Sequence, residues 1–193
     1  MAKRVIIVHG WDGGPKGDWI PWIKQELEKR DFTVLAPQMP ETARPKIEIW
    51  VPCLAEIVGN LREDDVFIGH SIGCQTILRF LERLPNFQKA DKVILVAPWG
   101  VSLSNLDENE EEVIAKPWLE TPIGFEKVKQ HARSFTAIFS DNDPFVPLEE
   151  NSQVFKEKLR VEIIVEKGKG HFLTSDGVSI LPALLKIIES ETP

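Results

Sequence analysis

Val66-Phe67-Ile68-Gly69-His70-Ser71-Ile72-Gly73-Cys74-Gln75-Thr76-Ile77-Leu78 decides how this chain folds. The stretch begins as an apolar, strand-like run and ends as a helix-like one, with Gly-x-Ser-x-Gly spanning the junction. A strand that turns directly into a helix at a Ser makes a turn so tight that its flanking positions have almost no room for a Cβ. Gly69 and Gly73 meet that steric requirement, and the Ser71 hydroxyl is then presented at the tip of the turn. Ser71 would also sit at a helix N-terminus, where unpaired backbone N–H groups favour negative charge. The segment therefore predicts a nucleophile elbow with Ser71 as the nucleophile.

Outward from this elbow, short apolar and β-branched runs recur at Val5–Val8, Phe32–Ala36, Val66–Ile68, Val93–Ala97, Phe135–Phe139 and Val161–Val165. Such runs predict strands buried on both faces, as in a parallel sheet. Helix-period segments lie between most of them. Asp18 is expected to cap a helix with Pro21 in its first turn and Trp19, Trp22, Ile23 and Leu27 on one face. Ile47, Trp50, Leu54, Ile57 and Val58 form a second stripe, which Pro52 must kink or start. Ile72–Leu84, Leu148–Leu159 and Ser179–Ser190, the last with Pro182 in its first turn, predict three more helices. The alternation implies right-handed crossovers and an α/β/α sandwich on a mostly parallel six-stranded sheet, a single domain over residues 1–193. Pro98–Lys129 is too long for a plain crossover and reads as a small lid-like insertion, or else as an irregular crossover with a helix packed on its Trp residues.

Composition bounds the function. The 193 residues are 42% hydrophobic and 27% charged, as in ordinary soluble globular proteins. A net charge of −7 argues against nucleic acid or an anionic membrane as a main partner. The acidic run Asp107–Glu112 reads as a solvated loop or helix start. Cys53 and Cys74 have no metal-ligand spacing and read as buried free thiols in a reducing compartment. Only Val5–Val8 is apolar near the N-terminus, too short for a signal-peptide core, so the location expected is cytoplasmic. No metal or other cofactor is called for.

An activated Ser needs a base, a group that orients the base, and donors for the oxyanion. In open α/β sheets these come from loops at the carboxyl ends of strands. Of four histidines, His171 lies in a Gly-rich loop past the last strand and is the expected base. His70 is expected to pack beside the elbow, His9 to shape the loop His9–Gly14 after the first strand, and His131 to face solvent. Asp141 and Asp143 share the loop after Phe135–Phe139, and spacing alone barely separates them as the acid. Pro144 disfavours helical backbone at Asp143 and helps to hold its carboxylate still, which favours Asp143 over Asp141, the latter then a turn or cap residue. The oxyanion donors expected are the backbone N–H groups of Trp11 and Ile72. Trp99, Trp118, Phe145 and Phe172 lie on loops at the same end and are candidate walls of a narrow substrate pocket, although each is also a natural core residue.

These residues carry a resemblance. Val8-His9-Gly10, the elbow, the Asp107–Glu110 run, Pro117-Trp118, Asp143-Pro144-Phe145 and Gly170-His171-Phe172 together resemble the small serine hydrolases of the retinoblastoma-binding protein 9 and YdeN type, a compact branch of the α/β-hydrolase superfamily. The resemblance runs nearly end to end. It implies a parallel sheet lacking the first two strands of larger hydrolases, and a triad falling on Ser71, Asp143 and His171. It also implies hydrolysis of small carboxylic esters, with aminoacyl esters or amides as further substrates. A retinoblastoma-type pocket motif is not implied, because Leu61-Arg62-Glu63-Asp64-Asp65 lacks the Cys of a Leu-x-Cys-x-Glu.

Two competing readings stand beside the esterase. One is a binding protein that uses a hydrolase fold without turnover, since sites rather than folds decide function. The other, a lipase with an interfacial lid, fits poorly because Pro98–Lys129 is short and acidic where a lid should offer an apolar face.

Overall fold

In the computed structural model, which describes residues 2–85 and 88–190, six parallel strands form one sheet in the order β2-β1-β3-β4-β5-β6. The strands are β1 Arg4–Val8, β2 Thr33–Leu35, β3 Val66–His70, β4 Ala90–Val96, β5 Ala132–Ser140 and β6 Glu162–Glu166. The helices are α1 Ile20–Glu28, α2 Ile47–Val58, α3 Ile72–Glu82, α4 Lys116–Glu120, α5 Phe125–Val128, α6 Leu148–Leu159 and α7 Pro182–Glu189. α1 and α7 pack together, while α2, α3, α5 and α6 form a second contiguous layer, so the sheet is the middle of an α/β/α sandwich. All five strand pairs are parallel, as the apolar runs require.

β1 and β3 are buried along their whole length, because helices cover both faces. β2 and β6 correct the expectation of uniform burial. They are the two edges of the sheet: in β2 only Val34 is buried, and every residue of β6 is exposed or half-buried. β4 and β5 start earlier than their apolar cores because polar residues at their beginnings find partners. The Lys92 ammonium, for example, donates to the Ile187 and Ile188 carbonyls at the end of α7. Asp65, from the segment that lacks the pocket motif, is fully buried in a two-point hydrogen bond with Arg4, and Arg4 also donates to the Val58 carbonyl. That network joins the start of β1 to the entry of β3.

α2 runs through Pro52 rather than starting there. Pro52 lies on the exposed side, while Trp50, Val51, Leu54 and Val58 face the core, so the missing hydrogen bond falls where water can replace it. Asp18 does not cap α1: Trp19 holds the cap position and makes no side-chain cap bond. The Asp18 carboxylate instead accepts from the Thr174 N–H at 2.8 Å, in a loop 156 residues away. His131 is buried, not solvent-facing, because the turn into β5 presses it against the Gln88 carbonyl, 2.8 Å from Nδ1. Cys74 is buried and Cys53 only half-buried.

The chain runs from β1 outward to β2, then crosses to the other side of β1 to form β3. Neighbouring connections therefore leave in opposite directions at the carboxyl ends of β1 and β3, and this opens a crevice there. The loop His9–Gly14 and the elbow at Ser71 both start at that point.

Candidate active site

Ser71 sits between β3 and α3 with φ 52° and ψ −119°, a backbone conformation that a residue with a Cβ adopts only under strain. The strain is imposed from both sides. A Cβ on Gly69 would lie 2.7 Å from the Cys74 nitrogen, and one on Gly73 would drive into the carbonyl oxygens of Val8 and His9. Only glycine lets α3 start this close to β1. The Ser71 N–H donates to the Val96 carbonyl at 2.9 Å, which extends the β3–β4 ladder into the turn. The Ser71 hydroxyl accepts from the Trp99 indole N–H at 3.3 Å.

His171 and Asp143 arrive from the ends of β6 and β5. Asp143 Oδ2 lies 2.8 Å from His171 Nδ1, and the Asp143 side chain is 2% exposed. Its other oxygen accepts the N–H groups of Phe145, at 2.9 Å, and Val146, at 3.0 Å. Pro144 has no N–H to compete. The carboxylate is thus held at three points, with one oxygen reserved for the imidazole. Asp141 does not reach His171; it accepts from the Gly168 N–H at 2.8 Å.

The loop that carries His171 is clamped from below and behind. Asp141, Ser140 and Asn142 accept in turn from the N–H groups of Gly168, Lys169 and Gly170. Asp176 Oδ2 accepts from the His171 N–H at 2.8 Å and from Leu173 at 3.1 Å. His70 Nε2 donates to the His171 carbonyl at 2.9 Å. Burial first, and then the neighbouring His171, pull the His70 pKa down to about 4, so this ring stays neutral near pH 7. Sequence reading finds His70 but misses Asp176. The only signal for Asp176 is its place in the polar turn Thr174-Ser175-Asp176-Gly177 just past the base.

Ser71 and His171 open into one cavity of about 550 Å³, lined also by Gly10, Trp11, Ile72, Trp99, Phe145 and Leu173. The Ile72 N–H is the first of α3 and has no carbonyl within the helix to meet. The Trp11 N–H donates to no backbone acceptor among the described residues. The insertion supplies the far wall through Leu103, Leu106, Glu110, Ile114 and Ala115. Its acidic run begins a helical stretch in which Asp107 and Glu110 bond each other's backbone N–H groups. Apart from Glu110, the residues that this segment turns to the cavity are apolar, where the sequence predicts an acidic segment without an apolar face. Arg79 of α3 ties the segment down by donating to the Trp118 and Thr121 carbonyls, both at 2.7 Å.

Two candidate wall residues lie elsewhere. Trp118 is 1% exposed, with its indole N–H on the Pro45 carbonyl and its ring edge-on to Trp50. Phe172 is fully buried, because its φ of 59° turns its side chain inward just after His171. Trp99 and Phe145 do line the cavity, and Phe145 packs edge-on against the His171 ring at 5.4 Å. The charged residues around the cavity are Asp12, Asp18 and Glu110; no Lys or Arg is among its lining residues. Among the described residues, no cluster of His, Cys, Asp and Glu is arranged to hold a metal, and no helix is long and apolar enough to cross a membrane.

A family model described as serine hydrolase matches residues 5–190. YdeN of Bacillus subtilis (strain 168) is 28% identical over 190 residues, covering 98% of this chain and 96% of that one. The serine hydrolase RBBP9 of Rattus norvegicus is 26% identical over 190 residues, covering 97% and 94%. The crystal structure of the B. subtilis ydeN gene product superposes with a TM-score of 0.87, covering 97% of each chain. A hydrolase of the alpha/beta superfamily from Xanthomonas campestris shares the fold at 14% identity, with a TM-score of 0.67 over 99% of this chain and all of the other.

Proposed function

The chain belongs to the serine hydrolase family, and from that premise we propose that it cleaves small carboxylic esters through a Ser71-His171-Asp143 triad and an acyl-enzyme. The observation that carries this reading is the fixed Asp143–His171 pair opening into the same cavity as a strained, strand-end Ser71. Ser71 Oγ attacks the ester carbonyl while His171 Nε2 takes its proton. Asp143 holds the proton on Nδ1 and stabilises the imidazolium that forms. The carbonyl oxygen becomes an oxyanion facing the N–H groups of Trp11 and Ile72, dipoles already oriented before the reaction. His171 then protonates the leaving alcohol, and water attacks the acyl-Ser71 ester with the same imidazole as base.

Mostly apolar walls and a cavity of about 550 Å³ favour short acyl chains. A methylene that fits such a pocket helps by about 1–3 kcal/mol, whereas one beyond the wall gains nothing. Across p-nitrophenyl acetate, butyrate, octanoate and palmitate, kcat/KM is expected to peak at a few carbons and then fall, unchanged by EDTA. A maximum at palmitate, or activity lost on chelation, would refute the assignment.

The all-acidic charge around the cavity favours a second group of esters or amides, those bearing an α-amine. A solvated carboxylate facing an ammonium contributes about 0.2–1 kcal/mol. Asp12→Asn and Glu110→Gln are each expected to raise KM for an aminoacyl ester by roughly 1.5- to 5-fold relative to the matching simple acyl ester. An unchanged ratio in both variants would remove the preference.

A further inference from the structure

The N–H of Trp11 belongs to a loop peptide, whereas that of Ile72 is locked at the start of α3. What aims the loop peptide is a side chain. The Gly10 carbonyl lies 2.7 Å from His9 Nδ1 and also accepts from the Gly13 N–H at 3.2 Å. A trans peptide is planar, so its C=O and N–H point in opposite directions. Holding the Gly10 carbonyl against His9 and Gly13 therefore turns the Trp11 N–H the other way, toward the cavity that Gly10, Trp11, Ser71 and Ile72 line. Gly10 is close to the nucleophile: a Cβ built on it would lie 3.5 Å from Ser71 Cβ.

The tautomer of His9 is set from the opposite side of its ring. The Met39 N–H donates to Nε2 at 3.0 Å, so Nε2 is the bare nitrogen and Nδ1 carries the proton. Burial pushes the His9 pKa below its ordinary value and keeps that neutral form. Trp50 packs edge-on against the ring at 5.3 Å, and His9 is 2% exposed. Without the Nδ1–H bond, only the Gly13 N–H would hold the Gly10 carbonyl, and the Gly10–Trp11 peptide could tilt, because glycine offers little steric resistance to rotation.

We propose that His9 is a positioning residue, whose Nδ1–H fixes the Gly10–Trp11 peptide with the Trp11 N–H facing the oxyanion. This rests on the serine esterase reading above. Two amide substitutions separate the ring's two bonds. His9→Asn keeps a donor near the Nδ1 position and loses the acceptor for Met39. His9→Gln keeps an acceptor near the Nε2 position and loses the donor for Gly10. Loss of one oxyanion donor costs roughly 10²–10³ in kcat, and the Gly13 bond retains part of the alignment. His9→Gln is therefore expected to lower kcat for p-nitrophenyl butyrate about 10- to 100-fold with KM nearly unchanged. It should weaken inhibition by butylboronic acid, which forms a tetrahedral adduct on Ser71, by a similar factor. His9→Asn is expected to keep most of kcat while lowering the melting temperature more than Gln does. Equal losses of kcat in the two variants, or a loss confined to KM, would overturn the positioning role. Fluorophosphonate labelling of the native protein separates this result from failure of the underlying reading. A native chain that is neither labelled nor active would remove that reading, and the role of His9 with it.

Discussion

Ser71→Ala is expected to abolish covalent labelling by a fluorophosphonate and to lower kcat for a p-nitrophenyl ester by a factor on the order of 10⁶. The fold should survive. The Ser71 N–H bond to the Val96 carbonyl involves only backbone, and Ala has the same Cβ in the same strained φ. The hydroxyl accepts from the Trp99 indole N–H at 3.3 Å, and losing that bond should cost about 1 kcal/mol of stability. The check is a labelling gel and a steady-state assay on variant and native protein, with a melting curve beside them. Labelling that persists in the Ala variant would place the nucleophile elsewhere. A native protein that binds esters but is neither labelled nor active would instead make this chain a binding member of its family.

The second large effect separates two carboxylates that stand two residues apart. Asp143→Asn is expected to lower kcat by about 10⁴, and Asp141→Asn to change it little. In the Asp143→Asn variant the amide oxygen would still be claimed by the N–H groups of Phe145 and Val146, which leaves the NH₂ facing His171. Nδ1 can meet that donor only as an acceptor, so the ring proton moves to Nε2, the nitrogen that must take the proton of Ser71. The imidazole is then present in the wrong tautomer. At Asp141 the bond comes from the Gly168 N–H, which an Asn oxygen accepts equally well. Comparing kcat for the two variants with one ester is sufficient, provided both melt near the native temperature. Equal losses would show that His171 is not oriented through Asp143.

Much of this architecture was legible because its signals are local. A continuous apolar run of β-branched residues has few uses other than a strand, and the six runs form five parallel pairings, although only the inner strands are covered on both faces. The Gly-x-Ser-x-Gly turn was legible for a steric reason, since only glycine at positions 69 and 73 lets α3 start against β1. The preference for Asp143 over Asp141 needed Pro144 and a resemblance. Nothing in the spacing says which carboxylate accepts from the Gly168 N–H and which faces the imidazole.

What the sequence left open were partners distant along the chain. Asp18 looked like a helix cap, because Asp before an amphipathic stripe usually is one. It bonds Thr174 because two loops meet beside the cavity. Trp118 and Phe172 looked like pocket walls because they flank the acidic run and the base. Their side chains went to the core, one onto Trp50 and Pro45, the other turned inward by a left-handed backbone. The acidic run masked the apolar residues on either side of it: Leu103, Leu106, Ile114 and Ala115 line the cavity, whereas of the run itself only Glu110 is among its lining residues. By itself the sequence determined the strands, their alternation with helices and the position of the strained Ser, all set by sterics and periodicity within a few residues. Only the tertiary structure decided which residues line the cavity, which carboxylate meets His171 and how His9 aims the Gly10–Trp11 peptide. Those depend on where loops from different strand ends converge, and hydrogen-bond direction across such a gap is not encoded in any short stretch of chain.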